Sequence, residues 1–253
     1  MGMNNIKAFM IDLDGVVYFG DKLADGAIDT VSFLRKNYKC LFVTNTTRTT
    51  RKGVVNKLLN LGIRVNEENV LTALSATIDY IKSKKKNAKC FVIGSVESRN
   101  EFVNNGLELD DKNPDFVVIG LDRNLNFNVL NKAFRLLING ANFVAMHEDR
   151  FAPMEDGLTL SVGPFVRALE YASGRKALSI GKPNENFFRL ALIKLRTKPE
   201  ETAMIGDDIE SDIAGAKNVG MKGIFIRNNS QQRIRIKPDL ILDSISELPR
   251  FLK

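Results

Sequence analysis

Short apolar runs alternate with longer stretches of helical periodicity almost from one end of the chain to the other. The runs cover residues 8–11, 40–43, 90–93, 116–119, 143–146, 202–205, 223–226 and 240–242. Several are apolar at consecutive positions instead of every second one, as a strand covered on both faces requires. Between them the spacing predicts helices over 28–37, 51–61, 73–84, 96–105, 129–139, 163–173, 185–195 and 209–218. Gly62, Gly106, Gly140, Gly174 and Gly220 fall at or just past predicted helix ends, where a left-handed residue closes the last turn. Strand–helix alternation of this kind predicts an α/β fold with parallel sheet and right-handed crossovers.

Composition narrows the class without changing the fold. The chain has 253 residues, 44% hydrophobic and 26% charged, which excludes a disordered chain, a collagen-like repeat and a disulfide scaffold. That length allows one large domain or two smaller ones. No apolar run reaches the ~18 residues of a membrane span, and the first run meets acidic residues too soon for a secretory signal. A net charge of +7 admits nucleic acid, anionic lipid or a small anionic substrate. The densest basic run, 82–86, ends a predicted helix with little aromatic interleaving, so it reads as a solvated helix end; no nucleic-acid or membrane partner is expected. Cys40 and Cys90 each open a strand run, as buried thiols in a reducing, cytoplasmic setting do.

Ligands of an open parallel sheet sit at the carboxyl ends of its strands. The first strand ends in Asp12-Leu13-Asp14-Gly15, and the second in Thr44-Asn45-Thr46-Thr47. Later come Gly181-Lys182-Pro183 and Gly206-Asp207-Asp208, with Asp212 in the helix that follows. An aspartate at one strand end is commonly just a helix cap. Carboxylates, a hydroxyl and an ammonium at four strand ends together suit phosphoryl transfer. Asp12 and Asp14 are two apart, so in extended chain their side chains leave on the same side. With Asp207 they need a cation, and oxygen ligands without His or Cys suit Mg²⁺. Asp12 would then attack phosphorus. Asp14 would serve as acid and then base. Thr44 would donate to a phosphoryl oxygen, and Lys182 would supply positive charge.

These segments, in this order, resemble the four motifs of the haloacid dehalogenase-like phosphatases. The stretch between Thr44 and Lys182 is long enough for an inserted module of ~100 residues. Its place resembles the large cap of the NagD-like, 4-nitrophenylphosphatase-like subgroup, with Asn113-Pro114-Asp115 to Asp122 like the cap's central strand. The resemblance implies a Rossmann-like core over 1–76 and 179–253, with an α/β cap over 77–178. It implies Asp12 as nucleophile, Asp14 as general acid and base, and Mg²⁺ held by Asp12, the Asp14 carbonyl and Asp207. Asp208 and Asp212 would orient that site, and Thr44, Asn45 and Lys182 would bind the phosphoryl group. Thr46, counted with the substrate-binding residues, stands where the subgroup usually has Asn. In the cap, Ala145-Met146-His147-Glu148-Asp149 replaces the subgroup's Thr-Asn-x-Asp. A homodimer through the cap is implied by the resemblance alone.

The expected activity is therefore Mg²⁺-dependent hydrolysis of a small phosphate monoester, such as a sugar phosphate, nucleotide or aryl phosphate. A phosphotransferase or mutase shares the same aspartates. A phospho-receiver or silent binding protein is the reading from a different class, but a receiver is about half this length and needs no cap. A P-loop is excluded, because Pro183 follows Lys182 where Ser or Thr is required. Choice of leaving group would fall to the segment 147–158, predicted as a loop at a strand's carboxyl end and carrying Arg150, Glu155 and Asp156 as well. His147 and Asp149 are its candidates for facing the leaving group, against a plain solvated loop.

Overall fold

A computed structural model describes residues 3, 5–154, 157–228 and 236–252. The chain forms two compact units: Met1–Thr44, Arg51–Leu71 and Lys182–Lys253 make the first, and Asn45–Thr50 with Thr72–Gly181 the second. The turn Asn45–Thr50, which the sequence groups with the first unit, is held by the second through hydrogen bonds given below.

The first unit is built on a six-stranded sheet. Its order is Leu240–Leu242, Lys222–Ile226, Thr202–Gly206, Ala8–Asp12, Lys39–Thr44, Val70–Thr72. Numbered along the chain and read from the Val70–Thr72 edge this is 3-2-1-4-5-6, the Rossmann order, as the sequence predicts. Ala8–Asp12 and Thr202–Gly206 are buried at every residue, which is why they read as unbroken apolar runs. Phe9, Phe42, Ile205 and Ile224 pack with Val31, Leu34, Val54 and Leu58 of the flanking helices. Each such burial contributes about 1.5–3 kcal/mol. The order reverses between Ala8–Asp12 and Thr202–Gly206, so the chain leaves these neighbours in opposite directions and a crevice opens beyond their carboxyl ends.

The second unit carries a five-stranded sheet ordered Leu178–Ser179, Asn142–Ala145, Phe116–Ile119, Lys89–Ile93, Glu108–Leu109. Numbered along the chain and read from the Glu108–Leu109 edge this is 2-1-3-4-5, a doubly wound order whose reversal lies between Lys89–Ile93 and Phe116–Ile119. Val117, Ile119, Phe143 and Ala145 pack against Ala133, Leu137, Val162 and Val166. Its first long helix, Ala73–Lys84, begins where predicted because Thr72 and Ser75 form a reciprocal cap: Ser75 N–H donates to Thr72 Oγ1 (3.0 Å) and Thr72 N–H to Ser75 Oγ (3.1 Å). All of the predicted helix-closing glycines take positive φ; Gly174, at +69°, closes Val162–Ser173.

At the reversal of this second sheet, where such sheets hold ligands, the chain places its own turn Asn45–Thr50. Thr47 is 3% exposed. Its Oγ1 accepts from Leu121 N–H (3.0 Å), and its carbonyl accepts from the buried Ser98 hydroxyl (2.5 Å). A Cβ on Gly120 would lie 3.1 Å from Thr47 Cβ and 2.8 Å from Met146 Sδ, so the turn packs closely over this glycine.

One expectation is corrected. Segment 147–158 is not all loop: Phe151–Met154 pairs antiparallel with Gly157–Leu160, Phe151 opposite Leu160 and Pro153 opposite Leu158. Glu155 and Asp156 lie outside the described residues. Gly157–Leu160 is exposed throughout, so no buried face imposed a pattern that the sequence could display. The two-residue strands Tyr18–Phe19, Lys22–Leu23, Glu108–Leu109 and Leu178–Ser179 are too short for any period to show.

Thr47→Val keeps the shape of the buried turn but leaves Leu121 N–H without its acceptor. It should destabilise the protein by about 1–3 kcal/mol in urea denaturation. An unchanged midpoint would show that the turn is not tied down by this bond.

Candidate active site

The crevice beyond Ala8–Asp12 and Thr202–Gly206 is where the first unit concentrates its charge. Asp12 is the last residue of the central strand and is 8% exposed. Asp207 and Asp208 follow the neighbouring strand directly. Lys182 lies just before the helix Glu185–Leu195, with 3% of its surface exposed. A buried ammonium needs charged partners. Lys182 Nζ finds two, donating to Asp12 Oδ1 and to Asp212 Oδ1, each at 2.6 Å.

Asp212 reaches that position through a local irregularity. The sequence predicts one regular helix over 209–218, whereas Ile209–Ala214 is a π-helix and only Gly215–Asn218 is α-helical. The wider turn is capped by Asp208, whose Oδ1 accepts from Glu210 N–H (2.8 Å) and Ser211 N–H (2.7 Å). Asp208 N–H in turn donates to Asp212 Oδ2 (3.2 Å). The carboxyl group of Asp212 lies so close over Gly206 that any Cβ there would collide with it. Sequence spacing cannot distinguish a π-turn from an α-turn when the same residues build both.

Asp12, Asp207 and Asp212 bring carboxylate oxygens within 4.8 Å of one another. Asp212, predicted only to orient the site, thus stands in the cluster itself. The Asp14 carboxylate is not in this group; the family resemblance implies a contact through its backbone carbonyl instead. Three carboxylates against one ammonium leave two negative charges. Burial pushes Asp12 up to about 6, with Lys182 pulling it back and Asp207 adding repulsion. Burial also raises Asp212 to about 7, and raises Asp207 to about 7 with help from the Asp212 charge. Burial alone would lower Lys182, but Asp12 and Asp212 hold it well above the usual lysine range. The ammonium therefore stays charged and the carboxylates respond to the excess.

The donors fit a hard divalent cation, which takes oxygen ligands and would cancel those two charges. Two further observations support the fit. Gly15, at φ +81°, leaves space that a Cβ would fill against the Asp207 carboxyl group, 2.8 Å from Asn228 Nδ2. Asn228 Nδ2 donates to Asp207 Oδ2 (2.8 Å), while Asn228 Oδ1 is buried with no hydrogen-bond partner among the described residues.

Asp14 lies two residues past Asp12 and bridges to Tyr18, whose carbonyl accepts from Gly15 N–H (2.8 Å). Its side chain keeps contact with solvent, yet partial desolvation raises its carboxyl above the ordinary range, opposed by Lys57. Lys57 Nζ stands 4.0 Å over the Tyr18 ring. Thr44 ends the strand Lys39–Thr44 beside Ala8–Asp12.

The remaining predicted residues belong to the second unit, where the structure joins groups the sequence treats separately. Asn45 Nδ2 donates to both Asp149 carboxylate oxygens (3.3 and 3.1 Å). Asp149 N–H donates to His147 Nδ1 (3.2 Å), and the Asp149 carboxylate Oδ2 lies 3.0 Å from the same nitrogen. His147 is 5% exposed. Thr46 supplies its carbonyl to Leu74 N–H (3.4 Å). Asn228 and Tyr18 are absent from the sequence-based set. Asn228 follows the strand Lys222–Ile226 at its carboxyl end, so the strand-end signal was present there too.

The charge imbalance has a measurable consequence. Each cluster carboxyl binds its proton more tightly folded than unfolded. In EDTA the cluster's contribution to stability is therefore fully present below the ordinary value of 3.8 and is lost as pH rises through about 6 and about 7. Asp212→Asn cannot titrate and should flatten that decline, measured by urea denaturation between about pH 4 and 8. Equal slopes for parent and variant would refute it.

The comparisons with known proteins agree with this geometry. The family model described as haloacid dehalogenase-like hydrolase matches residues 9–108, and one described as HAD-hydrolase-like matches 179–248. Haloacid dehalogenase-like hydrolase domain-containing protein 2 of Mus musculus is 37% identical over 246 residues, covering 94% of this chain and 93% of its own. The structure of a p-nitrophenyl phosphatase from Archaeoglobus fulgidus superposes with a TM-score of 0.93 at 30% identity, over 97% of this chain and 99% of that one. NagD from E. coli K-12 superposes at 0.87 with 27% identity, over 96% and 98%. With its motif aspartates and lysine gathered at the reversal of a Rossmann-ordered sheet, the chain belongs to the haloacid dehalogenase-like hydrolases, among their NagD-like members.

Proposed function

We propose that this chain is a Mg²⁺-dependent phosphatase that hydrolyses small phosphate monoesters through an aspartyl-phosphate on Asp12. The observation that carries the reading is the buried Lys182 ammonium, which pairs with Asp12 and Asp212 in a three-carboxylate cluster at the carboxyl end of the central strand. The chain is thus a phosphoric monoester hydrolase, as its membership of this family supports.

The Asp12 carboxylate attacks phosphorus, its negative form favoured by the 2.6 Å bond from Lys182. A P–O bond forms to Asp12 as the ester P–O bond breaks. Asp14, with its raised carboxyl, gives its proton to the departing oxygen. Asp14 then takes a proton from the incoming water, whose oxygen displaces Asp12 and releases inorganic phosphate. The Lys182 ammonium and Thr44 hydroxyl bind phosphoryl oxygens, with Asn45 and Thr46 following in the same segment. The Asp12 and Asp207 carboxylates and the Asp14 carbonyl would hold Mg²⁺, and Asp208 and Asp212 would keep those ligands in place. When bound, Mg²⁺ supplies the positive charge that offsets repulsion between Asp12 and the phosphate.

The second unit serves as the cap that selects the leaving group, and the Asn45–Asp149–His147 network supports this role by fixing two polar side chains at a strand's carboxyl end. A homodimer through this unit belongs to the same reading, and light scattering tests it. Among the described residues no helix is long and apolar enough to cross a membrane.

Asp12→Asn should lower phosphate release by ~10⁴-fold or more while circular dichroism stays unchanged. Appreciable turnover by that variant would remove Asp12 as nucleophile. EDTA should abolish activity on p-nitrophenyl phosphate and Mg²⁺ restore it; indifference to chelation would exclude the cation. On a panel of sugar, nucleoside and aryl phosphates, His147→Ala should change relative kcat/KM by about 10-fold. Parallel rates across the panel would show that the cap residue does not meet the leaving group.

A further inference from the structure

A carboxylate that binds a cation needs its orientation held, and the groups that hold it are read from what touches its other lone pairs. Asp207 directly follows Gly206 in the loop after the strand Thr202–Gly206, where a backbone turn alone does not set the carboxylate plane. Its Oδ2 receives a hydrogen bond of 2.8 Å from Asn228 Nδ2. Asn228 comes from the adjacent strand of the sheet, two residues past the end of Lys222–Ile226. It reaches across the strand ends, so the contact depends on strand pairing and not on local sequence.

The other end of the same amide is unusual. Asn228 Oδ1 is buried and lacks a hydrogen-bond partner among the described residues. A buried amide carbonyl left unpaired costs about 1–3 kcal/mol unless something else in the working protein satisfies it. Rotating the amide by half a turn does not resolve this. It would set Oδ1 against the Asp207 carboxylate and leave the donor unused. Gly15, whose absent side chain leaves room beside both Asp207 and Asn228 Nδ2, keeps this corner open. The orphan oxygen is thus an acceptor beside the cation-binding carboxylates, placed for a donor that the described residues do not provide. A water bound to a divalent cation is such a donor, since Mg²⁺ characteristically keeps several waters.

We propose that Asn228 is a positioning residue of the cation site. Its Nδ2 holds the Asp207 carboxylate in its binding orientation, and its Oδ1 accepts a hydrogen bond from cation-bound water. The inference rests on the Mg²⁺ reading of the preceding section, and it adds a residue from a strand end that carries none of the recognised motifs.

Calorimetric titration of the metal-free protein with MgCl₂, paired with thermal melts in EDTA and in Mg²⁺, tests it. The parent should bind Mg²⁺ and gain Tm. Asn228→Ala should raise the Mg²⁺ Kd by ~10-fold or more, with a smaller Mg²⁺-induced gain in Tm and little change in the melt in EDTA. Activity lost at low Mg²⁺ should be recovered as Mg²⁺ is raised, which a damaged fold would not show. If Asn228→Ala fails to fold, Asn228→Ser carries the same expectation, since its shorter side chain cannot bridge both positions. A variant that binds Mg²⁺ within twofold of the parent overturns the role of Asn228. A parent that shows neither heat nor a Tm shift with Mg²⁺ overturns the cation reading itself, so the two failures are distinguishable.

Discussion

An ammonium group buried between two carboxylates is the constraint on which the first unit depends. Lys182 is almost wholly removed from solvent, and without Asp12 and Asp212 its charge would be several kcal/mol out of place. Those partners come from positions far apart in the chain. The central strand must end at Asp12, the segment before Glu185–Leu195 must deliver Lys182, and the π-turn must bring Asp212 back over Gly206. The ion cluster therefore enforces register among elements that hydrophobic packing alone leaves adjustable. It also over-supplies negative charge, an excess that a hard divalent cation would cancel.

Sheet order explains why the cluster stands where it does. Both units are doubly wound, and each reverses its strand order once. In the first unit the crevice at the reversal is lined by charge. In the second, the same topological position is taken by the turn Asn45–Thr50, tied through Thr47 to Leu121 and Ser98. The turn begins directly after Thr44, the last residue of a first-unit strand. One short segment thus continues a strand of one sheet and fills the ligand position of the other. Such anchoring leaves this segment little freedom of its own.

The electrostatic division of labour follows from burial. Asp12, Asp207 and Asp212 are crowded together and raised by desolvation. Asp14 stands apart, open to solvent and to the Lys57 charge, which suits the acid and base role proposed for it. Two aspartates separated by a single residue meet different environments because one ends a buried strand and the other lies outside it.

How far the sequence reaches is clear from particular residues. The strands around Asp12, Thr44 and Asp207 were legible because burial on both faces leaves an uninterrupted apolar run, and the polar residue ending each run marks the carboxyl edge of the sheet. The helix Ala73–Lys84 was legible because Thr72 and Ser75 cap it locally. The hairpin Phe151–Met154 with Gly157–Leu160 was not legible, since exposed backbone pairing leaves no hydrophobic period. Neither was the π-turn that moves Asp212 into the cluster, because α and π turns draw on the same residues. Asn228 and the Asn45–Asp149–His147 network escaped for a further reason: their partners lie 21 and 104 residues away in the chain. Local chemistry is written in sequence order and can be read there. Which lone pair meets which donor across a sheet is set by strand order and packing, so only the tertiary structure decided it.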